Sequence, residues 1–87
     1  MNKDRRKSLE KIIDRLEDVR TTLEDIKTDL EDIKIDEEDA YDNLPDSLKE
    51  CDRGYDMQSY IDSLDSACNI DTDDAIDEII GYIEECL

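Results

Sequence analysis

A strict seven-residue repeat of apolar residues runs through the first half of the chain. Its members alternate spacings of three and four residues, and they are Leu9, Ile12, Leu16, Val19, Leu23, Ile26, Leu30 and Ile33. This spacing places all of them along one narrow face of an α-helix, as in coiled coils. The repeat therefore predicts a long helix over residues 8–43, with this set of residues, called the seam below, as its oligomerisation surface.

The two residue types in the seam suggest how the helix associates. The leucines occupy heptad position a and the β-branched residues occupy position d, a combination that disfavours a simple parallel dimer. Narrow seams on two helices leave apolar surface exposed, so we expect a homo-oligomeric, coiled-coil-like bundle. A parallel oligomer of the first helix, with the rest of the chain packed outside it, is the second possibility.

The sole proline, Pro45, predicts where the first helix ends. Proline has no N–H to donate and disfavours helical geometry in the residue before it, so we expect a turn over residues 44–47. A return arm over residues 48–87 follows, with breaks expected near Gly54 and over residues 69–72. The two arms have similar lengths, which predicts an all-α antiparallel hairpin that forms a single domain.

The charge distribution favours the same arrangement. The chain has 28 acids, 11 bases and no histidine, for a net charge of −17. Residues 1–20 hold seven bases and five acids, whereas residues 54–87 hold ten acids and no base. Folding back brings these oppositely charged segments together. The basic start, residues 1–7, is expected to fray.

Composition argues against several classes of protein. Without histidine the usual proton shuttle is missing, and nothing indicates a pocket that would tune the carboxylates, so we expect no enzyme, cofactor or small-molecule substrate. Cys51, Cys68 and Cys86 are too widely spaced for a zinc site, and reduced, half-buried thiols are expected. No apolar run approaches the roughly 20 residues of a membrane span. No secretory signal follows the basic start, so a cytoplasmic location is expected.

An acidic cluster surrounds the expected turn, with a tyrosine among its carboxylates. The candidate partner-binding residues are Asp36, Glu37, Glu38, Asp39, Tyr41, Asp42 and Asp46. Beyond residue 20 the chain holds 23 acids and four bases. Spread over a hairpin of about 50 Å, this is about one net negative charge per 2.6 Å, and a dimer would approach or exceed the density of duplex DNA, which carries one charge per roughly 1.7 Å. The expected partner is a protein with a basic surface, such as a nucleic-acid-binding protein, while direct nucleic-acid binding is disfavoured by repulsion. The alternative is that the acids only keep the helices soluble.

The segment around the proline resembles a known class of proteins. Asn43-Leu44-Pro45-Asp46-Ser47-Leu48, the following Arg53-Gly54 and Met57, and the later Ile-Asp and Ile-Glu units resemble small acidic coiled-coil proteins encoded by bacterial phages and prophages. The resemblance covers residues 36–87 and implies helices in a bacterial host cell, without an assigned activity or functional residues.

Analogy with other small acidic phage proteins sharpens the functional hypothesis. Some of them inhibit host-defence nucleases by resembling DNA, so the sharper hypothesis is a non-enzymatic DNA mimic that occupies a basic groove. The alternative hypothesis is a structural or adaptor coiled coil that oligomerises through its seam.

Overall fold

The computed structural model describes residues 1–87 and is all-helical, as predicted. It contains four helices and no strand. In chain order they are α1 (Lys3–Asp42), α2 (Asp46–Lys49), α3 (Asp52–Cys68) and α4 (Asp73–Glu84). No helix combines the length and the apolar character needed to cross a membrane.

The first helix is longer than the sequence suggested. It begins at Lys3, so the basic start of the chain forms its first turns. Fraying of these turns remains a prediction. The side chain of Asn2 stabilises this start, because its Oδ1 accepts the backbone N–H of Arg5 at 2.8 Å. Such a bond satisfies one of the N–H groups that a helix leaves unpaired at its beginning. The other end, at Asp42, lies close to the position expected from Pro45.

The first break in the return arm lies at residues 50–51, three residues before Gly54. Pro45 immediately precedes the short helix α2, so the turn is shorter than expected. Gly54 instead belongs to the first turn of α3 and is buried against the end of α2. A Cβ atom at this position would lie 2.2 Å from the carbonyl oxygen of Lys49, closer than any real contact. Glycine is therefore required for α2 and α3 to approach each other here.

The second break occurs over residues 69–72, where it was expected. The side chain of Asp71 accepts the backbone N–H of Asp74 at 3.1 Å through its Oδ1 atom. This bond satisfies an N–H group in the first turn of α4 and helps to set the start of that helix.

The chain divides into two compact units. Unit 1 consists of Met1–Asp25 and Asp71–Leu87, and unit 2 consists of Ile26–Ile70. The buried apolar side chains are few: Ile76 and Ile80 in unit 1, and Met57 in unit 2. Each unit therefore buries little apolar surface, and the single domain that the sequence suggested remains a prediction.

In unit 1, Arg20 of α1 binds to α4. Its guanidinium group forms ion pairs with Asp77 and, at 3.3 Å, with Asp73. It also pairs with Glu17, one turn earlier on α1, at 3.2 Å. The hydrogen bond to Asp77 is the main reason that the pKa of Arg20 is raised above its usual value. The attraction expected between residues 1–20 and residues 54–87 is thus seen in the ion pairs of Arg20.

In unit 2, three polar contacts join α1 to the chain that follows it. In order along α1 they are Lys27 Nζ to the Ile70 carbonyl oxygen, Lys34 Nζ to Asp65 at 2.9 Å, and the Tyr41 hydroxyl to Gln58 at 2.8 Å. The residue number on α1 rises while that of the partner falls. Within this unit, α3 therefore runs antiparallel to the second half of α1.

Candidate functional site

The two halves of the predicted seam differ in exposure. The leucines at position a, Leu9, Leu16, Leu23 and Leu30, are half-buried. The residues at position d are exposed: Ile12 by 39%, Val19 by 48%, Ile26 by 47% and Ile33 by 55%. We call these four exposed residues the d stripe. The sequence did not predict this difference in exposure between positions a and d.

The later helices cover the side of α1 that carries heptad position e. The residues at position e are half-buried, and they are Ile13, Arg20, Lys27, Lys34 and Tyr41. In a helix, position e lies about 40° from position a on one side, and position d lies about 60° from it on the other. The bases at position e bind carboxylates and a carbonyl group of the return arm, which leaves the d stripe exposed.

Lys34 forms the centre of a carboxylate cluster in unit 2. Its Nζ atom lies 2.9 Å from Asp65, 3.3 Å from Glu31 and 3.9 Å from Glu38, and its side chain is only 13% exposed. The hydrogen bond to Asp65, followed by that to Glu31, raises the pKa of Lys34 above its usual value. The thiol of Cys68 lies in the same region, and its burial, followed by its contact with Glu31, raises its pKa.

The seven predicted partner-binding residues around the turn are called the acidic tip below, and three of them are half-buried. Glu38 pairs with Lys34, and Glu37 lines an open groove of about 550 Å³ together with Arg53. The third, Tyr41, accepts a hydrogen bond from Gln58, and the ammonium group of Lys49 lies 5.3 Å from the centre of its ring. Tyr41 is thus half-buried and held by neighbouring residues, and its role in partner binding remains a prediction.

The other four residues of the tip are exposed aspartates. Asp36, Asp39, Asp42 and Asp46 form no side-chain hydrogen bond or ion pair. Asp32 shares these properties and lies one helical turn before Asp36, outside the predicted set of partner-binding residues. Its spacing of seven residues from Asp39 could have identified it, because residues seven apart share a helix face. We call these five aspartates the acidic face.

The bases of unit 2 have their contacts away from the acidic face. Lys27 donates to the Ile70 carbonyl group, and Lys34 binds the carboxylates described above. Lys49 lies over the ring of Tyr41, and Arg53 lines the groove beside Glu37. No base of this unit pairs with an aspartate of the acidic face.

The remaining candidate chemistry is limited. No group of three or more histidine, cysteine, aspartate or glutamate side chains is placed to hold a metal ion. Every buried side-chain nitrogen or oxygen has a hydrogen-bond partner. All three cysteines are free, and Cys51 and Cys68 are half-buried as predicted, whereas Cys86 is exposed.

Comparison of the chain with protein-family models, with curated proteins and with solved structures finds no match.

Proposed function

We propose that this chain is a non-enzymatic acidic protein-binding module. Its acidic face would occupy a basic groove of a nucleic-acid-binding protein, as DNA does, and so inhibit that protein. The observation that carries the proposal is the separation of charge in unit 2, where five exposed aspartates have no basic partner and the bases bind elsewhere. This arrangement leaves carboxylates free to pair with lysine and arginine side chains of another protein.

The spacing of the aspartates on α1 supports a resemblance to a phosphate backbone. At 1.5 Å per residue, Asp32 and Asp36 are about 6 Å apart along the helix axis, and Asp36 and Asp39 are about 4.5 Å apart. One DNA strand carries a phosphate about every 3.4 Å along its axis. The acidic face therefore has a linear charge density within a factor of about two of a single strand.

Capture from a bacterial lysate followed by competition tests the proposal. The chain is immobilised, bound proteins are washed at low salt, and duplex DNA is then added as the competitor. The matched variants are D36N/D39N/D42N on the acidic face and E10Q/D14N/D18N on the exposed surface of the first half of α1, since both remove three charges with little change in shape. We expect duplex DNA to release the bound protein. Of the two variants, only D36N/D39N/D42N should fail to capture that protein.

Two results would refute the proposed role of the acidic face. In the first, the captured protein remains bound in excess duplex DNA, which means that the two ligands do not share a groove. In the second, the two triple variants bind the captured protein equally well, which means that position on the molecule is unimportant.

The d stripe favours a second candidate function, that of a structural or adaptor coiled coil. Four exposed β-branched side chains at a seven-residue spacing are typical of a helix that packs against another helix. This function depends mainly on apolar contact and predicts loss of association after Val19→Asp, with a much smaller effect of D36N/D39N/D42N. The acidic-face function predicts the opposite pattern.

The architecture of the whole chain, its association and its cellular location are also proposals. We infer that the whole chain is an antiparallel hairpin, because α3 is antiparallel to α1 in unit 2 and Arg20 pairs with α4 in unit 1. Association of such hairpins into a bundle would bury the d stripe. The resemblance of residues 36–87 to phage and prophage proteins supports a place in the cytoplasm of a bacterial host cell.

A further inference from the structure

We propose that the d stripe binds a second copy of this chain, with the two α1 helices antiparallel and Arg15 of each copy paired with Asp29 of the other. The inference develops the second candidate function by naming the partner, its direction and its register. It rests on the exposure of the d stripe, on the charges beside it and on a groove at each end of the contact.

The apolar residues fix the register. In an antiparallel pair related by a two-fold axis, Val19 can face Ile26 of the second copy, and Ile12 then faces Ile33. Every residue of the d stripe meets another member of the stripe in this register, which gives four apolar layers along the contact. All four residues are exposed in the single chain, so the contact needs no rearrangement of the fold.

The charges beside the d stripe agree with the same register. Heptad position g borders the stripe on the side away from position a, and it carries Arg15 and Asp29. Flanking g positions face each other in antiparallel helix pairs, so Arg15 lies opposite Asp29 of the second copy and the pair occurs twice. Both side chains are exposed, and no ion pair within the chain uses either of them.

The longer charge pattern also favours antiparallel association. Residues 1–20 carry seven bases and five acids, whereas residues 26–42 carry eight acids and two bases. Antiparallel helices place each basic segment against the acidic segment of the other copy. A parallel pair would place like segments together, which costs free energy.

Open grooves on the structure match this contact. In unit 1, a groove of about 300 Å³ is lined by Ile12, Arg15, Leu16 and Val19. In unit 2, the groove of about 550 Å³ is lined by Glu37, Ala40, Arg53, Asp56, Met57 and Tyr60. Ala40 continues position d, and in this register it faces Arg5 of the second copy. The two carboxylates of this groove, Glu37 and Asp56, outnumber its one base, Arg53, and the net negative charge beside the exposed ring of Tyr60 suits an arginine side chain.

The contact is large enough for a specific dimer. The 40 residues of α1 extend about 60 Å, and a helix is about 10 Å wide, so the strip covers about 600 Å² on each copy. Specific interfaces bury about 800 Å² on each partner, with wide variation. The buried apolar side chains of the single chain are only Met57, Ile76 and Ile80, so additional apolar burial matters greatly to its stability.

Analytical ultracentrifugation of the full chain tests this inference. The chain has a mass of 10.1 kDa, and we expect a species of twice that mass at about 50 μM. Val19→Asp should weaken the dimer by about 100-fold or more, because it places a charge in an apolar contact. Thr21→Asp is the matched control, since it adds the same charge on the opposite face of α1, and it should leave the dimer intact.

A charge exchange tests the direction of the helices. Arg15→Glu and Asp29→Arg should each weaken the dimer by about tenfold, because each brings like charges together twice. The double variant R15E/D29R should restore wild-type association. Circular dichroism of every variant checks that the helices remain, as expected for substitutions at exposed positions.

The possible contradictions are distinct. A wild-type monomer at this concentration would overturn both the inference and the coiled-coil function. A dimer that survives Val19→Asp would overturn the inference, because it would show that the chain associates through a surface other than the d stripe. A dimer that needs Val19 but is not restored by R15E/D29R would refute the antiparallel register. These results test the d stripe, and Asp36 at position g is the one aspartate of the acidic face that lies beside it.

Discussion

The chain contains two glycines within helices, and their surroundings predict opposite effects of the same substitution. Replacing glycine with alanine inside a helix normally stabilises it by about 1 kcal/mol, because alanine loses less backbone entropy on folding. At Gly81 a new Cβ atom would meet nothing within 4 Å, so Gly81→Ala should realise that gain. At Gly54 the new atom would lie 2.2 Å from the carbonyl oxygen of Lys49.

The contact at Gly54 decides whether Gly54→Ala raises or lowers the stability of the chain. The Cβ atom would also lie 2.6 Å from two other backbone atoms of Lys49, so rotation of a side chain cannot relieve the overlap. The end of α2 must move away from α3, and overpacking of this kind typically costs about 1–3 kcal/mol. After the gain in helix propensity, we expect a net loss of about 1 kcal/mol.

Thermal unfolding, followed by the far-ultraviolet helical signal, measures both effects. For a chain of this size, 1 kcal/mol shifts the Tm by about 4–8 °C. We expect Gly81→Ala to raise the Tm and Gly54→Ala to lower it, each by about that amount. If both substitutions raised the Tm equally, the close approach of α2 and α3 at Gly54 would be wrong.

Two further predictions concern unit 2. The ion pairs of Lys34 raise its pKa, so its stabilising effect is fully present below its usual pKa of 10.5 and is lost only as the pH rises through the higher pKa of the folded state. Lys34→Gln should therefore lower the Tm at neutral pH more than the control Lys11→Gln does, and equal Tm values would contradict this. The pKa of the Cys68 thiol is raised above its usual value of 9.0, so at pH of about 8 a disulfide reagent should modify Cys68 more slowly than the exposed Cys86. Peptide mapping measures both rates, and denaturant should remove the difference; faster modification of Cys68 in the folded chain would refute the assignment.

The heptad repeat was sufficient to predict the long first helix, because a regular apolar spacing constrains a helix over many turns. It was not sufficient to predict which side of the seam the later helices would cover. That choice depends on pairs such as Arg20 with Asp77 and Lys34 with Asp65, which join residues far apart in sequence. The exposure of Val19 and its neighbours at position d follows from these pairs and could not be deduced from the repeat alone.

The predicted acidic tip shows the same limitation. Its residues were grouped because they are close in sequence, whereas the fold separates them by direction. Asp36 and Asp39 face outwards, while Tyr41 lies beside α3 and accepts a hydrogen bond from Gln58. The break predicted near Gly54 lies at residues 50–51, and Gly54 itself belongs to α3, where it allows the close approach of Lys49.

The salt dependence of binding to the captured protein is the most direct test of the acidic face. Titration calorimetry at increasing salt gives the slope of log affinity against log salt concentration, which reports the number of charged contacts formed. We expect a steep negative slope for the wild-type chain and a slope smaller by about two to three for D36N/D39N/D42N, with no change for E10Q/D14N/D18N. Equal slopes for the wild-type chain and D36N/D39N/D42N would show that these carboxylates do not contact the partner, and the proposed function would be wrong.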